Sequence, residues 1–344
     1  DEKIGDIDQQ IKDAKTQIVD DLCLILNENN GQYIALSLLL NEFDVLLTFV
    51  TCNWLYGWNL PTITTAASPL IITQGRNPIV ELVSDSFVPN DTKVDNVPVQ
   101  IITGPNCSGK SVYLRQVGMN VYLGLLGCGI AAQYGEIPLI KRILTRITTK
   151  ESTKSCLSAF TTDCSQMSEG LRTVDNECLF LIDEFGKGTD PSDGFALFSA
   201  TVKYLQKLRT KAPKTLIATH FITVFQEIER DWCVPLMMDT KTDHTNDTIQ
   251  FLYKLVPGIT TAAYGIECAK IAGLPQNIVD RAFSVCKCLQ EDKSIVPLST
   301  KVDAEKYYDS LISKFIEFDT EKGDITEFLT TIRKVTNRVY GGKS

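Results

Sequence analysis

One stretch of the chain has the residue types and spacing of a phosphate-binding loop. It fits the pattern G-x-x-x-x-G-K-[ST] with Gly104, Pro105, Asn106, Cys107, Ser108, Gly109, Lys110 and Ser111. In such a loop, backbone N–H groups surround phosphate oxygens, the lysine ammonium reaches the β- and γ-phosphates, and the serine hydroxyl is a ligand for Mg²⁺. A hydrophobic run precedes the loop and a helical pattern follows it. This context favours a site for ATP and Mg²⁺ over a plain glycine-rich turn.

Two acidic residues, Asp183 and Glu184, end a second apolar run that starts at Cys178. At the carboxyl end of a parallel strand, Asp183 would lie beside the phosphate loop and hold Mg²⁺ through water. Glu184 would orient and deprotonate the attacking water. Taken alone, this pattern is also typical of a strand that ends in a solvated turn. Together with the phosphate loop, it predicts catalysis.

A third apolar run, residues 215–218, ends in Thr219 and His220. A single histidine is more often structural, but this position places the imidazole near the γ-phosphate, as a sensor or as a holder of the water. The three motifs together predict ATP hydrolysis. Lys110, Glu184 and His220 are the candidate catalytic residues, and Ser111 and Asp183 are the candidate metal ligands.

Patterns of strands and helices alternate from residue 99 to residue 229, which is typical of a parallel sheet with helices on both faces. We therefore predict an α/β P-loop fold of the ABC type, with its last helix at residues 221–229. The four expected parts are lever-type helices in residues 1–60, an ATPase domain in 61–255, a helix-turn-helix dimerisation segment in 256–291 and a helical tail in 292–344.

The N-terminal part contains two predicted helices of different character. From Ile4 to Ile25, isoleucines follow a heptad rhythm that ends at residues 29–31. From Ile34 to Trp58, the residues are apolar almost all round, so we expect this helix to be buried on most sides. The first helix is either one member of a bundle or the end of a long lever.

Composition excludes several classes of protein. With 34 Lys and Arg against 42 Asp and Glu, the net charge of −8 argues against an independent basic nucleic-acid binder. No membrane span or signal peptide is expected, and the start at Asp1 suggests that the chain begins inside a longer protein. The 11 cysteines are scattered as in reduced intracellular proteins, and Cys286 with Cys288 is a poor zinc pair.

The motifs together resemble those of the ATPase domain of MutS proteins. The resemblance rests on the phosphate loop, Ser158-Ala-Phe160, Asp183-Glu184-Phe-Gly-Lys-Gly-Thr189, Ala218-Thr-His220, and the segments that start at Gln74, Phe87 and Tyr264. An ABC-type transport ATPase is a poorer match, because Leu-Ser-Gly-Gly-Gln is absent from the chain.

The resemblance implies further roles for individual residues. Asn106 would contact the γ-phosphate, and Phe87 and Tyr253 would stack on opposite faces of adenine. Plain core or edge packing is the less favoured alternative for the two aromatic residues. Ser158 would reach in trans into the nucleotide site of the other subunit. An obligate dimer with two composite sites follows from that role. The alternative is a dimerisation module with little hydrolysis of its own.

Departures from the usual MutS motifs resemble the meiotic branch of the family. They are Val112 after the phosphate loop, and Phe185 and Lys187 after the two acids. The branch resemblance implies a nuclear protein that pairs with MutS homologue four and clamps recombination intermediates such as Holliday junctions. A mismatch-repair homologue is the alternative. Because the DNA-contacting regions of the family lie mostly outside this chain, we expect the chain alone to bind branched or duplex DNA poorly.

Overall fold

The computed structural model describes residues 2–84, 86–147, 159–243, 248–260 and 264–291, together with 293, 295, 312–313 and 316. The chain divides into two compact units, Asp1–Cys268 and Ala269–Ser344. The α-helices within the described ranges are α1 (Glu2–Glu28), α2 (Asn30–Tyr56), α3 (Lys110–Leu125), α4 (Ala159–Thr173), α5 (Pro191–Lys207), α6 (Gly265–Ile271) and α7 (Gln276–Gln290). The strands are β1 (Thr62–Thr64), β2 (Leu70–Gly75), β3 (Asn90–Val94), β4 (Val99–Thr103), β5 (Tyr134–Pro138), β6 (Arg142–Arg146), β7 (Cys178–Asp183), β8 (Lys214–Ala218), β9 (Val234–Asp243) and β10 (Thr248–Pro257).

A six-stranded sheet in the order β10-β9-β4-β8-β7-β6 forms the framework of the first unit. All neighbouring pairs are parallel except β9 and β10, which form an antiparallel hairpin. Every residue of β4, β7 and β8 is buried, as the unbroken apolar runs in these segments predicted. The predicted α/β fold with a mostly parallel sheet is confirmed.

Helices cover both faces of this sheet. On one face, α3 packs with the sheet through buried residues such as Leu114 and Val117. On the other face, Met167 of α4 and Phe198 and Val202 of α5 pack against alternate residues of the same strands. This arrangement leaves the carboxyl ends of the parallel strands free to carry the chemical groups.

A second sheet, in the order β1-β5-β2-β3, lies beside the first and was not predicted. It is mixed, because β1 and β5 are parallel while the other two pairs are antiparallel. Leu70, Ile72 and Val94 belong to the same buried core cluster as residues of α3. The second sheet therefore packs against α3, the helix that follows the phosphate loop, on the side that faces away from the first sheet.

The two N-terminal helices form where the sequence patterns place them, but the expected burial of α2 is wrong within this chain. A single residue, Asn29, separates α1 from α2, and none of the 27 residues of α2 is buried. The pattern shows that the surface of α2 is apolar all round, but it does not show what covers it. By length and composition α2 could cross a membrane, although Glu42 and Asp44 lie at its middle.

The prediction of helices is wrong at residues 221–229 and agrees with the structure at residues 265–290. The α-helix expected at residues 221–229 is replaced by two short 3-10 helices, Ile222–Gln226 and Arg230–Trp232. This segment contains the β-branched residues Ile222, Thr223 and Val224, which disfavour an α-helix. Both helices of the predicted helix-turn-helix are present as α6 and α7. The predicted helical tail, 292–344, falls almost entirely outside the described residues.

Two glycines bring the turn after β7 into direct contact with α5. A Cβ added to Gly194 would lie 2.1 Å from the carbonyl oxygen of Gly186, and a Cβ added to Gly186 would lie 2.5 Å from that of Gly194. We expect Gly194→Ala to lower the free energy of unfolding by about 1–3 kcal/mol, because backbone atoms must move apart. Gly31→Ala is the control, since no atom of the described residues lies within 4 Å of a Cβ built there and alanine is the better helix former. Urea denaturation of both variants would show the contrast, and equal stability would contradict it.

Candidate nucleotide-binding site

The phosphate loop connects β4 to α3 and curls back on itself. Gly109, with φ of +98°, makes the turn into the helix, a backbone conformation that side chains disfavour. The Ser108 hydroxyl donates to the Pro105 carbonyl at 2.8 Å and so closes the loop from within. The loop therefore places the N-terminus of a 16-residue helix at its centre, which is a favourable location for an anion.

The Lys110 side chain folds back under the loop. Its ammonium donates to the carbonyl oxygens of Gly104 at 2.7 Å and Pro105 at 2.8 Å, and only 5% of the side chain is exposed. Burial lowers the pKa of Lys110, while the negative charges of Glu184 and Asp183 oppose that effect. A phosphate oxygen could replace either carbonyl as the acceptor, so the ammonium is already in place for an anion.

Asp183 ends β7 beside the first turn of α3. Its carboxylate forms a hydrogen bond with the Ser111 side chain, and its buried Oδ1 has no hydrogen-bond partner among the described residues. Burial raises the pKa of Asp183, and the hydrogen bond from Ser111 partly offsets this. A hydroxyl next to a carboxylate with an unused oxygen is a donor set that suits Mg²⁺. The two candidate metal ligands are therefore adjacent.

Glu184 follows in a left-handed backbone conformation, with φ of +48°, that is unusual for a residue with a side chain. Its N–H donates to the Ala218 carbonyl at 2.8 Å, and its carboxylate accepts from the Lys187 ammonium at 2.6 Å. Glu184 Oε1 lies 4.0 Å from Lys110 Nζ. Burial raises the pKa of Glu184, but the hydrogen bond and charge of Lys187 outweigh it, so the net pKa is lowered and the carboxylate is ionised at neutral pH.

His220 lies just beyond β8, between the strands that carry the phosphate loop and Asp183. Its ring stacks against Phe221 at a centroid distance of 4.2 Å. Partial desolvation lowers its pKa, and Glu184 is close enough to oppose that shift. The neutral imidazole is therefore favoured at neutral pH, within electrostatic range of the Glu184 carboxylate.

Most of these groups line one cavity of about 840 Å³, together with aromatic side chains. Ten of the candidate site residues are in the lining, namely Phe87, residues 106–111, Asp183, Glu184 and Tyr253, whereas Gly104, Pro105 and His220 are not. Tyr253 also lies close to the loop, 3.4 Å from where a Cβ of Gly109 would stand. The cavity thus combines cationic, acidic and aromatic groups, which suit the phosphates and the base of a nucleotide.

The structure also places residues at the site that sequence analysis missed. Arg146, which is buried, donates to the main-chain oxygen of Asp183 at 2.6 Å and forms an ion pair with Asp163. It therefore fixes the end of β7 and connects it to α4. In the sequence, the only feature that could have indicated this role was the position of Arg146 at the end of β6. Lys187, noted earlier only as a departure from the family pattern, is the closest cation to Glu184.

Asn77, for which the sequence analysis predicted no role, also supports the wall of the cavity. The Asn77 side chain is buried, accepts from the N–H groups of Ile79 and Val80, and donates to the Val112 carbonyl. It therefore ties Val80, which lines the cavity, to α3. Ser158, the residue expected to act in trans, lies outside the described residues.

Comparisons with known proteins agree with this geometry. The family model described as MutS domain V matches residues 100–290, which is more than half of the chain. "MutS protein homolog 5" of Saccharomyces cerevisiae is 30% identical over 93% of this chain and 40% of its own length. "DNA mismatch repair protein MutS" of Fervidobacterium nodosum is 32% identical over 86% and 35%, respectively, and that of Caldanaerobacter subterraneus is 33% identical over 80% and 31%.

The chain thus spans about a third to two fifths of the length of these relatives. The matched region contains the phosphate loop, the two acids, His220 and Tyr253. Domain V is the ATPase domain of MutS proteins. From the matched domain and the similarity over most of its length, the chain belongs to the MutS family.

Proposed function

We propose that this chain binds ATP and hydrolyses it to ADP and phosphate. One observation carries the proposal: the ammonium of Lys110 and the carboxylate of Glu184 lie 4.0 Å apart at one end of a cavity that is large enough for a nucleotide. Lys110 would hold the β- and γ-phosphates there, and Glu184 would face the γ-phosphate. Phe87 and Tyr253 also line the cavity, and the base would lie against them.

In the proposed reaction, each residue acts through a group that the fold has already positioned. The N–H groups of the phosphate loop and the helix N-terminus bind the phosphate oxygens, and Asn106 contacts the γ-phosphate. Glu184 is ionised, so it orients a water molecule and accepts its proton as the water attacks the γ-phosphorus and the bond to the departing ADP breaks. His220, within electrostatic range of Glu184, would hold the same water.

We propose Ser111 and Asp183 as the residues that hold Mg²⁺. Their mutual hydrogen bond and the unpartnered Asp183 Oδ1 fit a divalent cation that takes oxygen ligands. When it is bound, Mg²⁺ neutralises charge on the β- and γ-phosphates. Arg146 holds the main chain of Asp183 and so keeps this carboxylate in place.

We propose that the chain belongs to the meiotic branch of the family and acts in the nucleus. The support is Val112, Phe185 and Lys187 in the motifs, and the similarity to the yeast homologue at 30% identity over 93% of the chain. Bacterial mismatch-repair proteins are equally similar, so repair is the alternative. In the meiotic case the partner is MutS homologue four, and the ATP state of the pair switches a clamp on branched DNA.

The proposed partner gives a direct test of assembly. We expect the ATPase rate per chain to rise at least ten-fold when MutS homologue four is added, because Ser158 acts in trans. The measurement is steady-state phosphate release against the concentration of each partner, with a bacterial MutS subunit as the control. A rate that is independent of both protein concentration and partner would contradict a composite site.

The ion pair of Lys187 and Glu184 predicts a change in pH dependence. The positive charge of Lys187 lowers the pKa of Glu184, and the base must be ionised to act. We therefore expect Lys187→Met to raise the pKa of Glu184. As the pH is lowered, kcat/KM of the variant should then begin to fall at a higher pH than that of the parent protein. Lys187→Arg keeps the charge and should retain the parental profile. Superimposable profiles for the methionine variant and the parent would contradict this role of Lys187.

We propose that α2 is covered by protein rather than by lipid. Glu42 and Asp44 lie at the middle of the helix, and an acid at the centre of a bilayer costs about 3 kcal/mol. The similarity to relatives that are more than twice as long indicates where such protein surface would come from.

A further inference from the structure

A buried asparagine, Asn90, joins two distant segments of the chain that both line the cavity. Only 4% of Asn90 is exposed. Its Nδ2 donates to the Val88 carbonyl at 3.3 Å and to the Tyr253 carbonyl at 2.9 Å, and its Oδ1 accepts from the N–H of Leu255 at 2.8 Å. Both donors and the acceptor of one amide are therefore used to hold main-chain groups.

The segment that Asn90 holds from β10 has an unusual backbone. The pairing of β9 and β10 shifts register between Phe251 and Leu255, and Tyr253 lies in this bulge with φ of +53°. Bulges re-aim side chains, and a tyrosine adopts this conformation only when its surroundings enforce it. The bonds from Asn90 to the main chain of Tyr253 and Leu255 provide that enforcement.

A second link supports the first. The Lys254 ammonium donates to the Pro89 carbonyl at 2.7 Å. The segments 87–90 and 253–255 are thus connected by three hydrogen bonds, and each segment contributes one aromatic residue to the cavity lining. The separation of Phe87 and Tyr253 therefore depends on Asn90, which is the only one of these linking side chains that bonds to both segments.

We propose that Asn90 is a positioning residue for the base of the nucleotide. It sets the spacing of Phe87 and Tyr253 so that a flat heterocycle fits between them, and it does so without acting on the phosphates. This inference rests on the proposed function, because it assumes that a nucleotide occupies the cavity. It predicts that Asn90 affects binding of ATP but leaves binding of inorganic tripolyphosphate unchanged.

A second buried asparagine provides a matched control. Asn120 in α3 also makes three hydrogen bonds to main-chain groups: its Nδ2 donates to Arg76 and Gln116, and its Oδ1 accepts from Ala131. It is completely buried and does not line the cavity. Replacing it removes the same kind of interaction from the same domain, so it measures the effect of a general loss of packing.

The experiment measures dissociation constants for Mg·ATP and for Mg·tripolyphosphate by calorimetry on the whole chain. We expect Asn90→Ala to weaken ATP binding about ten-fold, the effect of losing stacking on one base, and to change tripolyphosphate binding less than two-fold. Asn120→Ala should change neither constant by more than two-fold. In a Tyr253→Ala background, Asn90→Ala should lose most of its effect on ATP, because the ring that it positions is already absent.

Several results would overturn the inference. They are an unchanged ATP constant in Asn90→Ala, an equal loss for both ligands, and a full effect of Asn90→Ala in the Tyr253→Ala background. If the alanine variant does not fold by circular dichroism, Asn90→Leu replaces it. Leucine keeps the volume of the side chain and adds no charge but loses both donors and the acceptor, so the same difference between ATP and tripolyphosphate is expected. Failure of the parent chain to bind ATP at all would instead reject the proposed function.

Discussion

Replacing Lys110 with methionine should weaken ATP binding by about ten- to a hundred-fold. Methionine keeps most of the apolar length of the side chain but removes the ammonium that lies under the phosphate loop and donates to Gly104 and Pro105. A charge-assisted hydrogen bond contributes about 1.5–3 kcal/mol, and its loss in the nucleotide complex gives an affinity change of this size. Equilibrium binding of a fluorescent ATP analogue is the measurement.

The control for Lys110→Met is the same substitution at Lys214. That lysine is also buried, burial also lowers its pKa, and its ammonium donates to a main-chain carbonyl, that of Ala66. It is not among the residues that line the cavity. Lys214→Met should therefore reduce stability without reducing affinity for ATP. Equal ATP affinity in Lys110→Met and the parent would show that the phosphate loop does not bind the nucleotide.

Replacing Glu184 with glutamine should stop turnover while leaving nucleotide binding intact. We expect kcat to fall by about 10²–10⁴, the usual contribution of a general base, and the dissociation constant for ATP to change less than three-fold. Glutamine keeps the shape of the side chain but cannot accept the proton of the attacking water. Phosphate release in single turnover separates this loss from any change in product release.

Glu227→Gln is the matched control for the base. Glu227 also pairs with a lysine, since Lys203 Nζ lies 3.1 Å from its carboxylate, but it is on the surface and outside the cavity lining. The Glu227→Gln variant should hydrolyse ATP at the parental rate. If Glu184→Gln also retains the parental kcat, another group must activate the water, and the role assigned to Glu184 is wrong.

Sequence patterns predicted the parts of the site that are encoded locally. The strands β4, β7 and β8 are short runs of apolar residues, so both their existence and their burial follow from residue type. A parallel sheet brings the carboxyl ends of such strands to one edge. That rule alone places Lys110, Asp183 and His220 near one another, and the structure agrees.

Other features depend on contacts between distant residues and carry no local signal. Asn90 and Tyr253 are separated by 163 positions, and nothing in either segment indicates that they meet. The four-stranded sheet depends on pairing between strands as short as Thr62–Thr64. For α2, the pattern identifies an apolar surface, but burial depends on other protein surface that the pattern does not specify. Long-range pairing and packing therefore mark the limit of the prediction.

A crystal structure of the chain with Mg²⁺ and a non-hydrolysable ATP analogue would test the central claim most directly. The account predicts the terminal phosphate within hydrogen-bonding distance of Lys110 Nζ, the metal on Ser111 and Asp183, and the Glu184 carboxylate facing the phosphate across one water molecule. The base should lie between Phe87 and Tyr253. A nucleotide bound elsewhere on the folded chain, or a cavity that stays empty at saturating analogue concentration, would contradict the account.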